Sequence, residues 1–358
     1  MGGTPEFRVH PLLLIYPATA AGSRTLVAET SASAAPLILR EPLVWFAISL
    51  LPPRFAREEA LRIWERPPEL SGICDDLWRT LTDEDLIVEC DPRGVLFEEV
   101  DGWAEHGWRE AAIYHEATRD FPFVRMDQPD GAEYDEALMK QFADAEPPPP
   151  VALQLRGEAR IPLTKLGPGE AAEPVLDALG ERDRRGTPGL ALLLDLCSGE
   201  RERRHLGPVG DALFKAVPSG GARHPTEAFL ALFEGAPEEP GLYHYDVIDH
   251  ALVRVRVGDE RRDWHDATFD LLDGLRPPPF AIVVLATMWE RAMWRYRDSR
   301  SWRAPVMDIG HVVGAYRTVL TRLGLAHATT QRFDDAALSR LLDVDRLLLT
   351  PMSIVAFG

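Results

Sequence analysis

Four consecutive prolines, Pro147–Pro150, interrupt the 358-residue chain and limit how it can fold. A run of prolines enters neither a helix nor a central strand, because proline lacks an amide hydrogen and its ring fixes φ. A chain of this length also exceeds what one hydrophobic core usually organises. The sequence therefore predicts a module over residues 1–100, a helical connector and proline-rich linker over residues 101–150, and a second domain over residues 151–358.

The segment before the prolines shows a helix, helix, hairpin pattern. Arg57–Glu65 predicts one helix. A second is indicated by four apolar residues at helical spacing, Ile73, Leu77, Trp78 and Leu81. Leu86–Cys90 and Val95–Val100 are short apolar runs joined by Asp91-Pro-Arg-Gly94, a turn sequence, which predicts a β-hairpin. Together these elements are typical of a winged-helix-like module.

The segment after the prolines alternates strands and helices. Four apolar runs predict strands: Thr226–Phe233, Leu242–Tyr245, Leu252–Val257 and Phe280–Ala286. Val306–Leu323 carries a single apolar stripe at helical spacing and predicts a long amphipathic helix. The fold class predicted for this part is α+β.

Charge and cysteine content narrow the classes of function. With 57 acidic and 39 basic residues the net charge is −18, which disfavours nucleic acid or an anionic membrane as the main partner. The longest apolar stretches, Pro11–Ala21 and Leu43–Leu51, are shorter than the ~20 residues of a membrane-spanning helix. Three widely spaced cysteines form neither a zinc motif nor a disulfide framework. We expect a reduced, cytoplasmic protein with no metal site.

Two adjacent glycines stand directly before a predicted strand, in the stretch PSGGARHPTEAF from Pro218 to Phe229. Adjacent glycines allow a backbone to approach a flat or phosphorylated ligand closely, although such a pair before a strand is more often a simple turn. The stretch is neither a Walker A loop nor a GxGxxG fingerprint, which excludes nucleotide binding through those motifs.

Several segments, taken in order, resemble one known group of proteins. PSGGARHPTEAF is followed by PGLYHYD from Pro240 and preceded by WREAAIYHEATRDFPF from Trp108. The stretch WRYRDSRSWR from Trp294 leads into DIGH from Asp308. This series resembles the SagB-type branch of the nitroreductase superfamily, the FMN-dependent thiazoline and oxazoline oxidases of ribosomal peptide natural-product pathways.

The resemblance implies a nitroreductase-like FMN-binding fold, a mixed sheet flanked by helices, in a homodimer whose subunits share the FMN clefts. It places Arg201 and Arg203 at the FMN phosphate and ribityl chain. Pro218, Ser219, Gly220 and Gly221 fall on the loop beside the isoalloxazine ring. The family's GLGAC loop corresponds to Gly324–Ala328 here, which places Ala326 and His327 at the cofactor. Without the resemblance, a solvated surface run next to Glu200 and Glu202 would be the preferred interpretation of these arginines.

Two departures from the family pattern bear on the chemistry. Glu202 stands between the arginines, where the family usually has serine. Arg295 replaces the lysine proposed as the base in azoline oxidation, and arginine stays protonated at any working pH. Tyr296 is then the candidate base, with Arg295 lowering its pKa.

The leading hypothesis is an FMN-dependent dehydrogenase that oxidises thiazolines or oxazolines of a ribosomally synthesised precursor peptide to azoles, with cyclodehydratase proteins as further partners. One alternative keeps the flavin and makes the protein a reductase of a modified peptide. Another is a flavin-free scaffold or binding subunit of a peptide-modifying complex.

Overall fold

The computed structural model describes residues 5–20, 23–30, 37–39, 43–90, 95–119, 121, 123, 127, 130–155, 159–167, 169–269 and 271–358. The chain divides into two compact units, residues 1–122 and residues 123–358. The predicted domain ranges, 1–100, 101–150 and 151–358, stay predictions.

The first unit combines short strands and helices. In chain order its elements are β1 (Glu6–Val9), β2 (Leu14–Ala20), β3 (Ser23–Glu29), β4 (Leu37–Leu39), α1 (Leu43–Ser49), β5 (Phe55–Ala56), α2 (Arg57–Trp64), α3 (Cys74–Asp83), β6 (Ile87–Glu89), α4 (Val95–Glu105) and α5 (Arg109–Thr118). The strands form two antiparallel sheets, ordered β5-β1-β6 and β2-β3-β4. Trp64 and Trp78, from the two predicted helices, pack in the core of this unit.

The predicted strand Val95–Val100 is wrong, because these residues begin helix α4. The sequence places Leu96, Val100 and Trp103 four and three positions apart, which is helical spacing. The predicted turn Asp91–Gly94 lies outside the described residues. The winged-helix-like assignment of the module stays a prediction.

The second unit contains a large sheet between helices. In chain order its elements are α6 (Gly131–Ala145), β7 (Arg160–Pro162), α7 (Ala172–Ala178), α8 (Glu181–Arg185), α9 (Thr187–Ser198), β8 (Glu200–His205), β9 (Asp211–Lys215), β10 (Thr226–Leu232), β11 (Gly241–Asp246), β12 (Ala251–Val257), α10 (Arg261–Ala267), β13 (Ala281–Met288), α11 (Glu290–Arg295), α12 (Arg303–Leu323), β14 (His327–Thr330), α13 (Asp335–Leu342) and β15 (Leu349–Phe357).

Seven strands form the sheet in the order β14-β15-β13-β10-β11-β12-β7, and each described pairing is antiparallel. Alternate residues of β13 point to opposite faces, so Val283 packs with α9 and α12 while Val284 packs with α10 and α13. Burial on both faces explains why β10 and β13 are continuous apolar runs. Strands β8 and β9 form a separate hairpin.

The four strands and the long helix predicted for this unit are confirmed as β10, β11, β12, β13 and α12. Helix α12 buries the predicted stripe, including Ile309, Tyr316 and Leu320, and ends at Gly324 in the left-handed conformation with φ of 70°. One member of the buried face, Asp308, is charged.

Candidate functional site

The glycine loop, Pro218–Gly221, connects β9 to β10 and is anchored on helix α12. The Ser219 hydroxyl donates a hydrogen bond to Asp308 Oδ2 at 2.6 Å, and the Gly220 amide donates to both carboxylate oxygens at 3.2 and 3.3 Å. Ser219 Oγ accepts a further bond from the His224 amide at 2.9 Å. Burial raises the pKa of Asp308, and the bonds from Ser219 and Gly220 oppose that rise. One buried carboxylate therefore holds the loop.

Both glycines of the loop have close neighbours, and the contact is much tighter at Gly221. Gly221 has φ of 58°, and a Cβ placed on it would lie 2.1 Å from the Tyr296 hydroxyl oxygen. A Cβ on Gly220 would lie 3.1 Å from Cβ of Ala304. The Tyr296 hydroxyl therefore lies directly against the backbone of Gly221, so the structure brings this predicted catalytic residue to the predicted cofactor loop.

Arg295, the other predicted catalytic residue, is bound to helix α6. Its Nη2 donates to both carboxylate oxygens of Asp135, at 2.9 and 2.8 Å. Its guanidinium also lies 4.8 Å from the centre of the Tyr296 ring. The positive charge next to Tyr296 is thus matched by a carboxylate that the sequence analysis did not identify, because 160 residues separate Asp135 from Arg295.

Arg201 is tied to a buried carboxylate of its own unit. Its guanidinium bonds Asp195 twice, at Oδ2 (3.1 Å) and at the backbone carbonyl (2.8 Å). Asp195 Oδ2 also accepts the Leu166 amide at 3.0 Å, while Oδ1 is buried and accepts no hydrogen bond from the described residues. The Arg201 side chain keeps 29% of its surface exposed.

The next two arginines of β8 pair with neighbouring glutamates at the surface. Arg203 binds both oxygens of Glu200, at 3.0 and 2.9 Å. Arg204 binds both oxygens of Glu202, at 2.6 and 2.7 Å, and this bond lowers the pKa of Glu202. Strand β8 therefore offers guanidinium groups that could hold a phosphate, each now facing a carboxylate.

Ala326 and His327 lie at the far edge of the sheet. The Ala326 amide donates to the Gly358 carbonyl at 3.1 Å, and His327 Nδ1 lies 3.0 Å from the Leu325 carbonyl oxygen. Strand β14 is three strands away from β10, which corresponds to about 14 Å at the usual strand spacing. Within one subunit the structure does not bring these two residues to the glycine loop.

A buried ionic cluster lies at the start of β10. Glu227 contacts Arg291, and His244 Nε2 lies 3.0 Å from Glu227 Oε2. Arg291 also donates to the carbonyls of Pro150 at 2.8 Å and His224 at 3.0 Å. Burial would raise the pKa of Glu227, but the charge of Arg291 and the bond from His244 outweigh it and lower the value to about 2. The cluster therefore fixes the last residue of the tetraproline next to His224, which lies three residues after the glycine loop.

Asp308 and Glu227 have structural roles that the sequence analysis did not predict. The sequence analysis named Asp308 only as the first residue of the DIGH motif and Glu227 only as part of a predicted strand. The sequence did contain a signal for both residues, because each is a lone carboxylate inside an otherwise apolar stripe or strand. Such a group is buried only when it has hydrogen-bond or ionic partners.

Metal sites and membrane-spanning helices are absent from the described residues. No group of three or more His, Cys, Asp or Glu side chains there could hold a metal ion. None of the helices described is both long enough and apolar enough to cross a membrane.

Comparison with known proteins shows a similarity of the C-terminal part of the chain to one family. Residues 195–358 match the model of the nitroreductase family. Trifolitoxin-processing protein TfxB of Rhizobium leguminosarum bv. trifolii is 31% identical over 166 residues, which cover 46% of this chain and 44% of that protein. A protein of Methanocaldococcus jannaschii assigned as a nitroreductase is 29% identical over 162 residues, 42% of this chain and 79% of that protein.

A crystal structure of a protein from Anabaena variabilis, assigned as a nitroreductase, has a similar fold. Its TM-score is 0.54 at 20% identity, and the match covers 68% of this chain and 45% of that one. This chain therefore spans less than half of TfxB and of the Anabaena protein.

The predicted α+β, nitroreductase-like fold is confirmed for the C-terminal part of the chain. The resemblance predicted from the motifs is confirmed as a similarity: residues 195–358 match the nitroreductase family, and the chain is similar to a trifolitoxin-processing protein.

Proposed function

We propose that the protein is an FMN-dependent dehydrogenase that converts thiazolines or oxazolines of a ribosomally synthesised precursor peptide into thiazoles or oxazoles. The observation that carries this proposal is the glycine loop, fixed on Asp308 inside a nitroreductase-family domain. The similarity to TfxB, a protein named for processing trifolitoxin, supports a precursor peptide that is processed enzymatically as the substrate.

The residues present fit the two ends of FMN by different means. At the ring end, Gly220 and Gly221 expose backbone that a flat ligand can approach, because neither position carries a side chain. At the phosphate end, Arg203 and Arg204 present forked donors that match a phosphate as well as they match their present glutamate partners. Arg201 would contribute through the exposed part of its guanidinium.

When bound at the loop, FMN would accept the two electrons that leave the azoline ring. Tyr296 would contact the substrate from the Gly221 side, where its hydroxyl lies. Arg295 would orient Tyr296 through its contact with the ring, held in turn by Asp135. Ala326 and His327 lie too far from the loop of their own subunit to contact the same flavin, so a role for them requires the proposed homodimer.

The test of cofactor binding is an ultraviolet-visible spectrum of the purified protein together with FMN fluorescence quenching at micromolar concentration. We expect a yellow protein, or quenching that saturates with one FMN per chain, and light scattering near twice 39.9 kDa. A protein that stays colourless and quenches no added FMN would exclude both the oxidase and the reductase.

The second candidate function is a flavin-free scaffold or binding subunit. The self-paired arginines of β8 favour it, because each guanidinium already has a carboxylate partner and needs no phosphate. A colourless protein that binds an azoline-containing peptide without changing its mass would support this function. Loss of two mass units from the peptide would support the oxidase.

A further inference from the structure

Arg223 follows the glycine loop by two residues and is bound to it. Its Nε donates to the Gly221 carbonyl oxygen at 3.0 Å, and its backbone amide donates to the Gly220 carbonyl oxygen at 3.2 Å. The side chain is half-buried, and its bond to Gly221 lies at the surface. The two terminal nitrogens, Nη1 and Nη2, make no hydrogen bond or ion pair with any residue that the structure describes. They are therefore available to a ligand that reaches the loop from solvent.

The carboxylates of this region already bind other cations. Asp211 lines the same small cleft as Arg223, but it lies 2.9 Å from His205 Nδ1. Asp135 accepts two hydrogen bonds from Arg295. Within the described part of the chain, Arg223 is thus a partly desolvated cation without a counter-ion.

The surroundings of Arg223 favour an added negative charge. Burial lowers the pKa of its guanidinium, the Tyr296 phenol opposes this shift, and the positive charge of Arg295 adds to it. The guanidinium nevertheless stays protonated, because arginine does not lose its proton in proteins. A buried charge is unfavourable unless it is paired, so an anion bound here would replace the hydration that Arg223 has lost.

The backbone on both sides of Arg223 is strained. Ala222 has φ of 52° and His224 has φ of 42°, which places two non-glycine residues in the left-handed region. Such conformations persist only where the surrounding structure enforces them, and they cluster at ligand-binding sites. The hydrogen bond from the His224 amide to Ser219 Oγ, at 2.9 Å, is one such constraint. The strained turn fixes the backbone from which the Arg223 side chain extends.

The Tyr296 hydroxyl is a second hydrogen-bond donor at the same place. It lies 2.1 Å from the position that a Cβ of Gly221 would occupy, and Arg223 binds the carbonyl oxygen of that glycine. A planar guanidinium matches the two oxygens of a carboxylate, and a phenol can donate to one of them. The two side chains therefore present donors that suit one small planar anion.

We propose that Arg223 and Tyr296 form a carboxylate-binding subsite for the substrate peptide, an inference that rests on the proposed function. The carboxylate belongs to an acidic side chain or to a free C-terminus next to the azoline ring. The FMN phosphate is assigned to Arg203 and Arg204, which lie on strand β8 and not on the glycine loop. Binding the carboxylate holds the azoline ring at the glycine loop, and no covalent bond changes in this step.

The test uses three thiazole peptides of equal length, in which the ring is followed by one last residue. That residue is glutamate with an amidated C-terminus, glutamine with a free C-terminus, or glutamine with an amidated C-terminus, which is the neutral reference. Thiazole replaces thiazoline so that no turnover occurs while calorimetry measures the dissociation constants on FMN-loaded protein. We expect one carboxylate peptide to bind about 10- to 100-fold more tightly than the reference, and that peptide identifies the source of the carboxylate.

The ratio of the two dissociation constants is compared among variants, because partial unfolding lowers the active fraction without changing this ratio. Arg223→Gln should abolish the preference for the carboxylate peptide, and Arg223→Lys should keep part of it, since a cation without the planar fork remains. Tyr296→Phe should reduce the preference about 2- to 10-fold. Arg262→Gln, at an exposed arginine of α10, is the matched control and should keep the wild-type ratio.

Turnover of the corresponding thiazoline peptide gives a second measurement. Arg223→Gln should raise KM about 10- to 100-fold and leave kcat within about threefold, because a contact that is equal in the ground state and the transition state affects KM alone. A variant that lowers kcat with an unchanged KM would contradict a binding role for Arg223.

The outcomes separate this inference from the proposed function. Equal affinity of the wild type for all three peptides would overturn the inference, and so would an Arg223→Gln variant that keeps the preference. Loss of FMN binding in Arg223→Gln, with the peptide preference intact, would assign Arg223 to the cofactor instead. Each of these results leaves the oxidase standing, whereas a wild type that binds no FMN or oxidises no thiazoline peptide overturns the proposed function itself.

Discussion

The glycine loop and strand β8 are the two halves of the candidate FMN site, and they are built in opposite ways. The glycine loop is fixed from within, by a buried carboxylate that accepts three hydrogen bonds from Ser219 and Gly220. Strand β8 is exposed, and its arginines Arg203 and Arg204 bind glutamates two or three residues away. The chain thus pre-organises the ring end of the site and leaves the phosphate end to be reorganised by the ligand.

This difference has an energetic basis. A buried polar group that loses its hydrogen-bond partner is destabilised by the full free energy of its desolvation. The glycine loop therefore has a single stable arrangement. Exposed ion pairs contribute little and exchange partners readily, since water and salt screen them. Substitutions at the loop should therefore have large effects, and substitutions on β8 should have small ones.

The largest effect is expected for Asp308→Ala, which leaves the Ser219 hydroxyl and the Gly220 amide without their acceptor. Loss of hydrogen bonds to a charged group should lower the free energy of unfolding by about 1.5–3 kcal/mol and weaken FMN binding at least tenfold. Urea unfolding and fluorescence titration measure the two quantities. His311→Ala, at an exposed position of the same helix, is the control, and equal behaviour of the two variants would show that the loop does not depend on Asp308.

Gly221→Ala should have the next largest effect, because it combines a left-handed φ with a contact to the Tyr296 hydroxyl. The conformation alone costs about 1–2 kcal/mol for a residue with a side chain. Tyr296→Phe removes the hydroxyl, so the double variant should recover part of the lost stability. Strictly additive effects of the two substitutions would contradict the contact between Gly221 and Tyr296.

His224, three residues after the glycine loop, should make the free energy of unfolding depend on pH. The pKa of His224 is about 3 in the folded protein and near 6.5 in the unfolded chain, so the unfolded state binds more protons below pH 6.5. Stability should fall by about 1 kcal/mol between pH 6.5 and 5.5 from this residue alone. Comparing the free energy of unfolding of the wild type and of His224→Gln across this pH range isolates the contribution of His224. Parallel pH profiles of the two proteins would show that His224 does not cause the dependence.

The smallest effect is expected on β8. Glu202→Gln releases Arg204 from its carboxylate, and FMN affinity should rise by up to about fivefold, more at low salt than at high salt. Arg203→Gln should lower affinity by a similar factor. A large decrease in the free energy of unfolding of either variant would show that the ion pairs of the β8–β9 hairpin stabilise the fold as much as the contacts of the glycine loop do.

Much of the second unit follows from its sequence. Largely apolar runs predicted β10 and β13, the stripe at helical spacing predicted α12, and the ordered motifs predicted the similarity to the nitroreductase superfamily. The same reasoning failed at Val95–Val100, where an apolar run of six residues fits a strand or a helix and the helix formed. A close approach of the backbone at Gly220 and Gly221 could also be predicted, because neither residue has a side chain.

The sequence by itself determined the four predicted strands of the second unit, the long helix, the glycine loop and the similarity to the nitroreductase family, because periodicity and short motifs are local properties of the chain. Only the tertiary structure decided that Asp308 holds Ser219 across 89 positions and that Asp135 binds Arg295 across 160. Those outcomes depend on which side chains the folded sheet and helices bring within hydrogen-bond distance, and on the burial that removes water as a competing partner.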